Sequence, residues 1–546
     1  MVWYSPQHLG INDSSPHIVR KAEDSEVIGH DIPQHIDFKQ PELSIMEDKS
    51  SDSDILGAGF EHVDIVLKEI GDVTRLDDTI SAEDDRKILH RIDMCLLPVL
   101  AISYLFQFLD KTAMSYTAIL GLRTDLHLVG QDYSWASGIF YFGYLAFSYP
   151  ASIIMIRFPV GKFLSTSVLF WAAILMCTAA AHNAAGLQSA RFFLGAMEAA
   201  VTPGFSIITS MFYKRSEQPL RYAAWFMGNV CGGLLGGLIA YGIGHVENIQ
   251  PWKAVFLIFG AVTLAWSLML FYLLPDTPTK AWFLSKGNRI KAVERVRHNM
   301  TGIKNNEWKK AQVNEALLDS KTWLMVLITL SANIPNGGIS SFSAIVINGM
   351  GFSVLNTLLV SMIAFVFQGV FVVVACGGST LFENTRTYFM SLMMLISTVG
   401  AIMVREVDHK YTWTRLMGYC LLTGFSANLP MVLALVAGNT GGFTKKTTVN
   451  AMIFMAYCVG NIVGPQLFLA KEAPNYDTGF ASMIVCFAVG AALILVLRFY
   501  LIWENQRRDR LGETAVQHLN GLELSETALN LLDKTDRELT QFRYVY

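Results

Sequence analysis

Charge is scarce in this chain of 546 residues: Asp, Glu, Lys and Arg make up 16% of it, against 52% hydrophobic residues. That balance excludes the three or four soluble domains that length alone would suggest at about 150 residues each. The formal net charge is −3 and there is no basic stripe of the kind that tracks phosphates, so no nucleic-acid partner is expected. No two-histidine metal spacing, Ser/His/Asp arrangement or glycine-rich phosphate loop stands out, and an enzyme, a metal or cofactor site and an ATP-driven pump are all poor readings. Paired cysteines are missing too. Cys95, Cys177, Cys231, Cys376, Cys420, Cys458 and Cys486 lie in or at the edge of apolar segments and read as small hydrophobes, not as disulfide or metal ligands. The chain opens on a polar segment instead of a short basic stretch and an apolar core, so no cleavable signal peptide is expected and the first span would direct insertion.

What is present is a repeated series of apolar segments of about 20 residues, each long enough to cross ~30 Å of hydrocarbon as a helix. Spans are expected near 94–120, 133–154, 164–183, 187–211, 219–243 and 252–274, then near 322–347, 354–376, 386–404, 414–437, 446–468 and 478–502. This predicts an all-α integral membrane fold with 12 transmembrane helices in two six-helix pseudo-symmetric halves. The boundaries are an acidic disordered tail (1–90), an N-terminal half (91–275), a central loop (276–321), a C-terminal half (322–503) and a C-terminal tail (504–546). The first 90 residues hold 20 acidic and eight basic side chains with no sustained periodicity, which suits disorder. Near their end Ser81 and Asp84 resemble a capping box, and Ile88, Leu89 and Ile92 follow at helical spacing, so a short amphipathic helix is expected to lead into the first span.

Loop charges set the orientation. Arg157, Lys162, Lys214, Arg215, Arg221, Arg386, Lys445 and Lys446 fall on the side of the tails and central loop, while the opposite loops carry fewer cations, among them Arg123, Lys471, Arg405 and Lys410. Positive-inside then places both termini in the cytoplasm, with the Asn12 and Asn299 glycosylation sequons unused there. The halves correspond weakly. The fifth span has Gly228, Gly232, Gly233, Gly236 and Gly237 and the eleventh has Gly460 and Gly464; the fourth and tenth hold Pro203 and Pro430; the first and seventh carry polar interruptions, Asp110–Lys111 and the NIPNGG of Asn333 to Gly338.

Four charges sit within or at the ends of spans: Asp110, Lys111, Arg191 and Glu198. Ionisable groups in a membrane are costly unless they are paired or line a watery cavity, so they mark a pathway by default. Arg191 and Glu198 are seven apart, on one helix face at ~10 Å. Asp110 and Glu198 are the candidates for carrying protons, and Lys111 and Arg191 for meeting an anionic substrate. The plainer readings are a fixed ion pair tying the first span to the fourth and, for Arg191, snorkelling to the interface. Asn333, Asn336 and Asn428, with Gln368, Asn450 and Asn461, are candidates to bind amide or ureide groups; interhelical hydrogen bonding is the plainer reading for each of them. Pro335 to Gly338 either breaks the seventh span and lines a cavity or only kinks it.

Six plus six spans about a cytoplasmic loop is the arrangement of the major facilitator superfamily. Within it the chain resembles the fungal allantoate permease family of the anion:cation symporter branch, through QFLDK and GLRTDL (Gln107 to Leu126), YSWASGIFYFGYL (Tyr133 to Leu145), ARFFLGAMEAAVTPGFSIIT (Ala190 to Thr209), LPDTPTKAWFLS (Leu274 to Ser285), NIPNGGISSF (Asn333 to Phe342) and GNIVGPQLFLAKEAPNY (Gly460 to Tyr476). The resemblance implies proton-coupled uptake of a small organic anion by alternating access at the plasma membrane. Allantoate and ureidosuccinate are the substrates of the most similar permeases. It also implies proton-coupling roles for Asp110 and Glu198 and a carboxylate contact for Lys111, where many members have the two-pronged Arg instead. RFPVGKF (Arg157 to Phe163) is a degraded form of the superfamily's glycine-and-acid loop motif and lacks the acid. The expectation is therefore a monomeric carrier whose partners are a small anionic substrate, protons and the lipid bilayer. The rival readings are a transporter, or exporter, of a vitamin, secondary metabolite or other carboxylate, and a nutrient sensor that no longer transports.

Overall fold

The computed structural model describes residues 81–510 apart from 215–216, 247–248, 298–308 and 383, and then 518–519, 522–523, 534–539 and 542–546. The acidic tail up to residue 80 and both sequons lie outside these. The fold is helical apart from a two-residue strand pair, His518–Leu519 with Leu522–Glu523. Among the described residues ten helical stretches are long and apolar enough to cross a membrane: Glu83–Asp125, Val160–Thr178, Ala184–Phe212, Leu220–Ile243, Pro251–Leu273, Val354–Leu381, Arg386–Glu406, Thr412–Asn439, Phe443–Gln466 and Asp477–Arg510. Two more helices, Asp132–Arg157 and Ser320–Gly349, are 26 and 30 residues long and less apolar, the first carrying serines and tyrosines and the second serines and asparagines. In chain order the twelve are spans one to twelve. Large apolar side chains such as Tyr272, Leu381 and Phe499 point outward and exposed, as lipid contact requires.

The first helix begins at Ala82, where the Ser81 hydroxyl accepts from the Asp84 N–H at 3.2 Å, and runs unbroken to Thr117. The expected amphipathic lead-in and the first span are thus one helix, since no strong stop signal separates Ile92 from Met94. A π-turn at Ala118–Leu122 closes it, with Gly121 at φ 102, a conformation a residue with a Cβ adopts only with strain. The fourth span is interrupted between Glu198 and Val201, just ahead of Pro203. The tenth changes to a 3-10 turn at Thr423–Ala427, just ahead of Pro430. In both, proline removes a helical donor and the ring crowds the preceding turn. The seventh span differs from one of its two expectations: Pro335 lies inside a helix continuous from Ser320 to Gly349, so NIPNGG does not unwind it.

The glycines of that motif instead allow close packing. A Cβ on Gly337 would lie 2.7 Å from the Asn461 Cα, and one on Gly464 only 2.2 Å from the Ile334 carbonyl, so the seventh and eleventh spans meet backbone to backbone. The fifth span uses two glycine rows. Gly228 and Gly232 admit the first span, and Gly233 and Gly237 admit the eighth, from the other half. The halves also meet where the Tyr133 hydroxyl donates to the Ser341 carbonyl at 2.6 Å, where Ser115 accepts from the Ala344 N–H at 3.0 Å, and through the ring pairs Phe108–Phe365, Tyr141–Tyr457 and Tyr144–Phe454. Measured along the helices, these contacts fall between the level of Phe108 and the end of the bundle where the first span finishes.

Charge is concentrated at the opposite end. There Asp84 pairs with Lys291 (2.5 Å), Asp85 with Arg295 (2.7 Å) and Lys214 (3.0 Å), and Asp93 with Arg221 (2.7 Å). The start of the first helix is thereby clamped by the helix Lys286–Arg297 of the central stretch. The loop between the second and third spans, which lacks its own acid, is met by Asp276, whose carboxylate accepts from the Lys162 N–H at 3.2 Å. In the C-terminal half the twelfth span runs on to Arg510, and a segment of the C-terminal tail packs beneath it. Asp536 is fully buried; it bonds Lys321 and reaches Lys445 at 2.8 Å, and Tyr544 donates to it at 2.8 Å. Burial alone would raise the Asp536 pKa, but Lys321 and Lys445 hold it down at about 2.

Candidate functional site

The adjacent acid and base of the first span point different ways, because neighbouring helical residues are about 100° apart. Asp110 is buried inside the N-terminal half. Its Oδ2 accepts from Trp171 Nε1 of the third span at 2.5 Å and from Thr263 Oγ1 of the sixth at 3.4 Å, while its Oδ1 has no partner. Lys111 turns toward the fourth span, and its Nζ lies 3.7 Å from Glu198 Oε2. That separation is an ion pair and longer than a good hydrogen bond. Neither carboxylate oxygen of Glu198 has a hydrogen-bond partner. The lysine also sits 5.7 Å from the Phe140 ring centre and 5.5 Å from that of Tyr144, which supplements the long ion pair with cation–π attraction. Glu198 is the last residue before the break in the fourth span.

Arg191 does not snorkel. It is 3% exposed, its guanidinium lies 4.9 Å from the Phe140 ring centre, and Nε and Nη1 have no hydrogen-bond partner. A buried and a partly exposed cation therefore share one phenylalanine ring, and the carboxylate nearest to them is that of Glu198, within 4 Å of Lys111 alone.

A cavity lies between the halves. From the N-terminal half it is lined by residues including Tyr104, Gln107, Lys111, Tyr141 and Asn229, and from the C-terminal half by residues including Asn333, Asn336, Ser340, Gln368, Ser426 and Tyr457. Of the residues singled out from the sequence as site candidates, Lys111, Asn333 and Asn336 line it; Asp110, Arg191, Glu198 and Asn428 are buried beside or behind its wall. Asn333 donates to the Thr329 carbonyl at 2.7 Å and accepts from Asn461 at 3.3 Å, and Asn336 donates to the Asn461 side chain at 2.8 Å. These amides thus bridge the seventh and eleventh spans while facing the cavity. Asn428 donates to the Phe425 carbonyl at 3.3 Å within the tenth-span turn. Asn450 is exposed. The sequence reading passed over several polar cavity residues, Tyr104, Tyr141, Asn229, Ser340, Ser426 and Tyr457 among them, and also Gln107. Its position four before Lys111, one helical turn away on the same face, is a signal that was there to be used.

Two helical halves around a central cavity, with a charge pair buried at its wall, define a membrane carrier. The sequence pattern of the Major Facilitator Superfamily matches residues 100–465. An uncharacterised transporter of Schizosaccharomyces pombe is 38% identical over 85% of this chain and 87% of its own. The allantoate permease of Saccharomyces cerevisiae is 35% identical over 85% of this chain and 87% of its own, and the thiamine pathway transporter of the same yeast 31% identical over the same shares. Among solved structures, the proton:xylose symporter XylE superposes with a TM-score of 0.59 at 12% identity, over 77% of this chain and 96% of that one. A bacterial homologue of the lysosomal transporter Spinster gives 0.54 at 15%, over 77% and 98%. The chain belongs to the Major Facilitator Superfamily, in its fungal allantoate permease-like family. Its relatives are transporters, not enzymes.

Proposed function

We propose that this carrier takes up a small organic carboxylate together with protons, by alternating access, and that an allantoate-like ureide acid is its substrate. The observation that carries the reading is the Lys111–Glu198 pair at 3.7 Å, with Lys111 lining the cavity and Glu198 behind it. In the empty site each neutralises the other. A proton on Glu198 removes that attraction and frees the ammonium to receive a substrate carboxylate. When both ligands leave, the pair re-forms and the empty carrier can return. Asp110 takes part in coupling from within the N-terminal half, Arg191 sets the positive field behind Phe140, and Asn333 and Asn336 offer amide groups to the ureide. Identity of 35% to an allantoate permease supports the substrate class.

In this reading the protein is a monomer in the plasma membrane with both termini cytoplasmic, as the loop cations suggest. The end toward which the bonds from Tyr133 and Ser115 join the halves is then the outer one. The second reading, a vitamin or metabolite carrier on the same scaffold, is favoured by the 31% identical thiamine pathway transporter. Uptake of labelled allantoate by cells lacking their own permease tests the first reading. Saturable uptake is expected, several-fold faster at external pH 5 than at pH 7 and abolished by a protonophore. Absence of uptake at full surface expression, or net efflux, would turn the assignment to the second.

A further inference from the structure

Resting on that reading, the amides that line the cavity say which end of the substrate they meet. Asn333 and Asn336 use part of their bonding capacity on Asn461, tying the seventh span to the eleventh. Asn229 of the fifth span and Gln368 of the eighth line the same cavity. Each is 9% exposed, and among the described residues neither side chain has a hydrogen-bond partner. An amide so far buried and unpaired is costly. Both border the space that a substrate would fill.

The two amides come from opposite halves and stand at one level. Along the seam between the fifth and eighth spans, a Cβ on Gly237 would lie 2.8 Å from the Leu358 carbonyl, one on Gly233 2.4 Å from the Phe365 ring, and one on Gly369 3.2 Å from Val230. Residue numbers fall along one helix as they rise along the other, so the helices are antiparallel. Asn229 and Gln368 each precede a residue of the last contact and are therefore within about 3 Å of the same height. Lys111 is set apart from them. Gly228 and Gly232 pack on Ala101, Leu105 and Phe108 of the first span, which puts Asn229 about six residues, or ~9 Å of axial rise, before Lys111. The lysine stem leans back toward the start of its helix and narrows that gap.

Each side-chain amide offers two N–H donors and one carbonyl acceptor. A terminal carbamoyl group presents the complementary set, a carbonyl between N–H donors, and is as neutral as they are. We propose that Asn229 and Gln368 are specificity-determining residues that bind a carbamoyl end of the substrate while Lys111 holds a carboxylate. The site then selects carboxylates that end in a carbamoyl group, whether or not a second carboxylate is present.

The test measures binding to the purified full-length protein in nanodiscs, by isothermal titration calorimetry at pH 6, so that neither transport nor a proton gradient enters. The probes are 3-ureidopropionate and 5-methylhexanoate, which has the same shape with methyl and methylene groups in place of the carbamoyl oxygen and nitrogens. Wild type should bind the ureido acid at least tenfold more tightly, because the isostere leaves the amides unpaired. Asn229→Leu and Gln368→Met, each close in size to the original, should each weaken binding of the ureido acid roughly fivefold to thirtyfold. Binding of 5-methylhexanoate should stay within about twofold in both, which shows that the fold and the Lys111 end are intact. Gln368→Met keeps the length of glutamine, so the test stands even if Asn229→Leu does not fold. Equal binding of the two acids by wild type, or a parallel loss of both in Gln368→Met, overturns the proposal. Binding of neither acid by wild type overturns the carboxylate reading and this inference together. If the acids are discriminated as expected but net uptake ignores a protonophore, proton coupling fails and this inference stands; if coupling holds without discrimination, the inference alone fails.

Discussion

At the scale of residues, the wiring of the four charges of the first and fourth spans matters more than their presence. Asp110 and Lys111 are adjacent in sequence, yet one is held by Trp171 and Thr263 inside the N-terminal half and the other faces Glu198 at the cavity wall. Trp171 is the stronger of the two donors to Asp110, at 2.5 Å. Replacing it with Phe keeps an aromatic ring but leaves a buried carboxylate with one long hydrogen bond. We expect Trp171→Phe to lose about 1–3 kcal/mol of stability, the cost of an unsatisfied buried group, seen as a lower melting temperature in detergent, with uptake slowed. An unchanged melting temperature would mean that the indole contributes packing only. That charges lie within spans was legible from sequence, because so few occur there. Which charge meets which was not, since it depends on the rotation of the first helix against its neighbours. Gln107 escaped notice because a neutral amide in an apolar run carries no obvious cost until its surroundings are known.

At the scale of elements, the same divide separates what could be read from what could not. Most helix positions followed from apolar length; Pro203 and Pro430 were noted only as matching features of the fourth and tenth spans, and the structure interrupts both helices just ahead of them. The seventh span carries the same kind of signal in Pro335, yet stays helical, because Gly337 and Gly464 let the eleventh span support its backbone closely. A sequence shows the glycines but not what they pack against. The C-terminal tail was the least legible element: Asp536 lies 215 residues from Lys321 and 91 from Lys445, and nothing local marks it as an anchor. Its pKa of about 2 against an ordinary 3.8 has a definite pH consequence. A carboxylate depressed in the folded state contributes stability that is full above its unfolded value and lost as pH falls through the folded one. The anchor should therefore contribute about 2–3 kcal/mol at any pH above about 4 and fade toward pH 2. Asp536→Asn should lower the melting temperature equally at pH 5 and pH 7, because two buried lysines then share one fewer counter-charge. A deficit confined to one of those pH values would contradict this account of the anchor.

At the scale of the whole molecule, the two halves are joined toward one end and meet around a cavity whose charged wall belongs to the N-terminal half and most of whose neutral amides belong to the C-terminal half. Such a division suits a cycle in which proton and substrate charge are settled against the first and fourth spans while the second half helps to recognise the rest of the substrate. The central claim is that Glu198 carries the coupled proton through its pairing with Lys111. The direct measurement compares Glu198→Gln with the wild type in proteoliposomes, by proton-driven net uptake and by exchange of substrate across the membrane without a gradient. Glutamine mimics the protonated acid, so Lys111 stays free and the loaded carrier still exchanges, whereas the empty carrier can no longer re-form its pair and return. The account predicts that net uptake falls by at least a hundredfold while exchange stays within a fewfold of wild type. Net uptake that still follows the proton gradient in Glu198→Gln would contradict it.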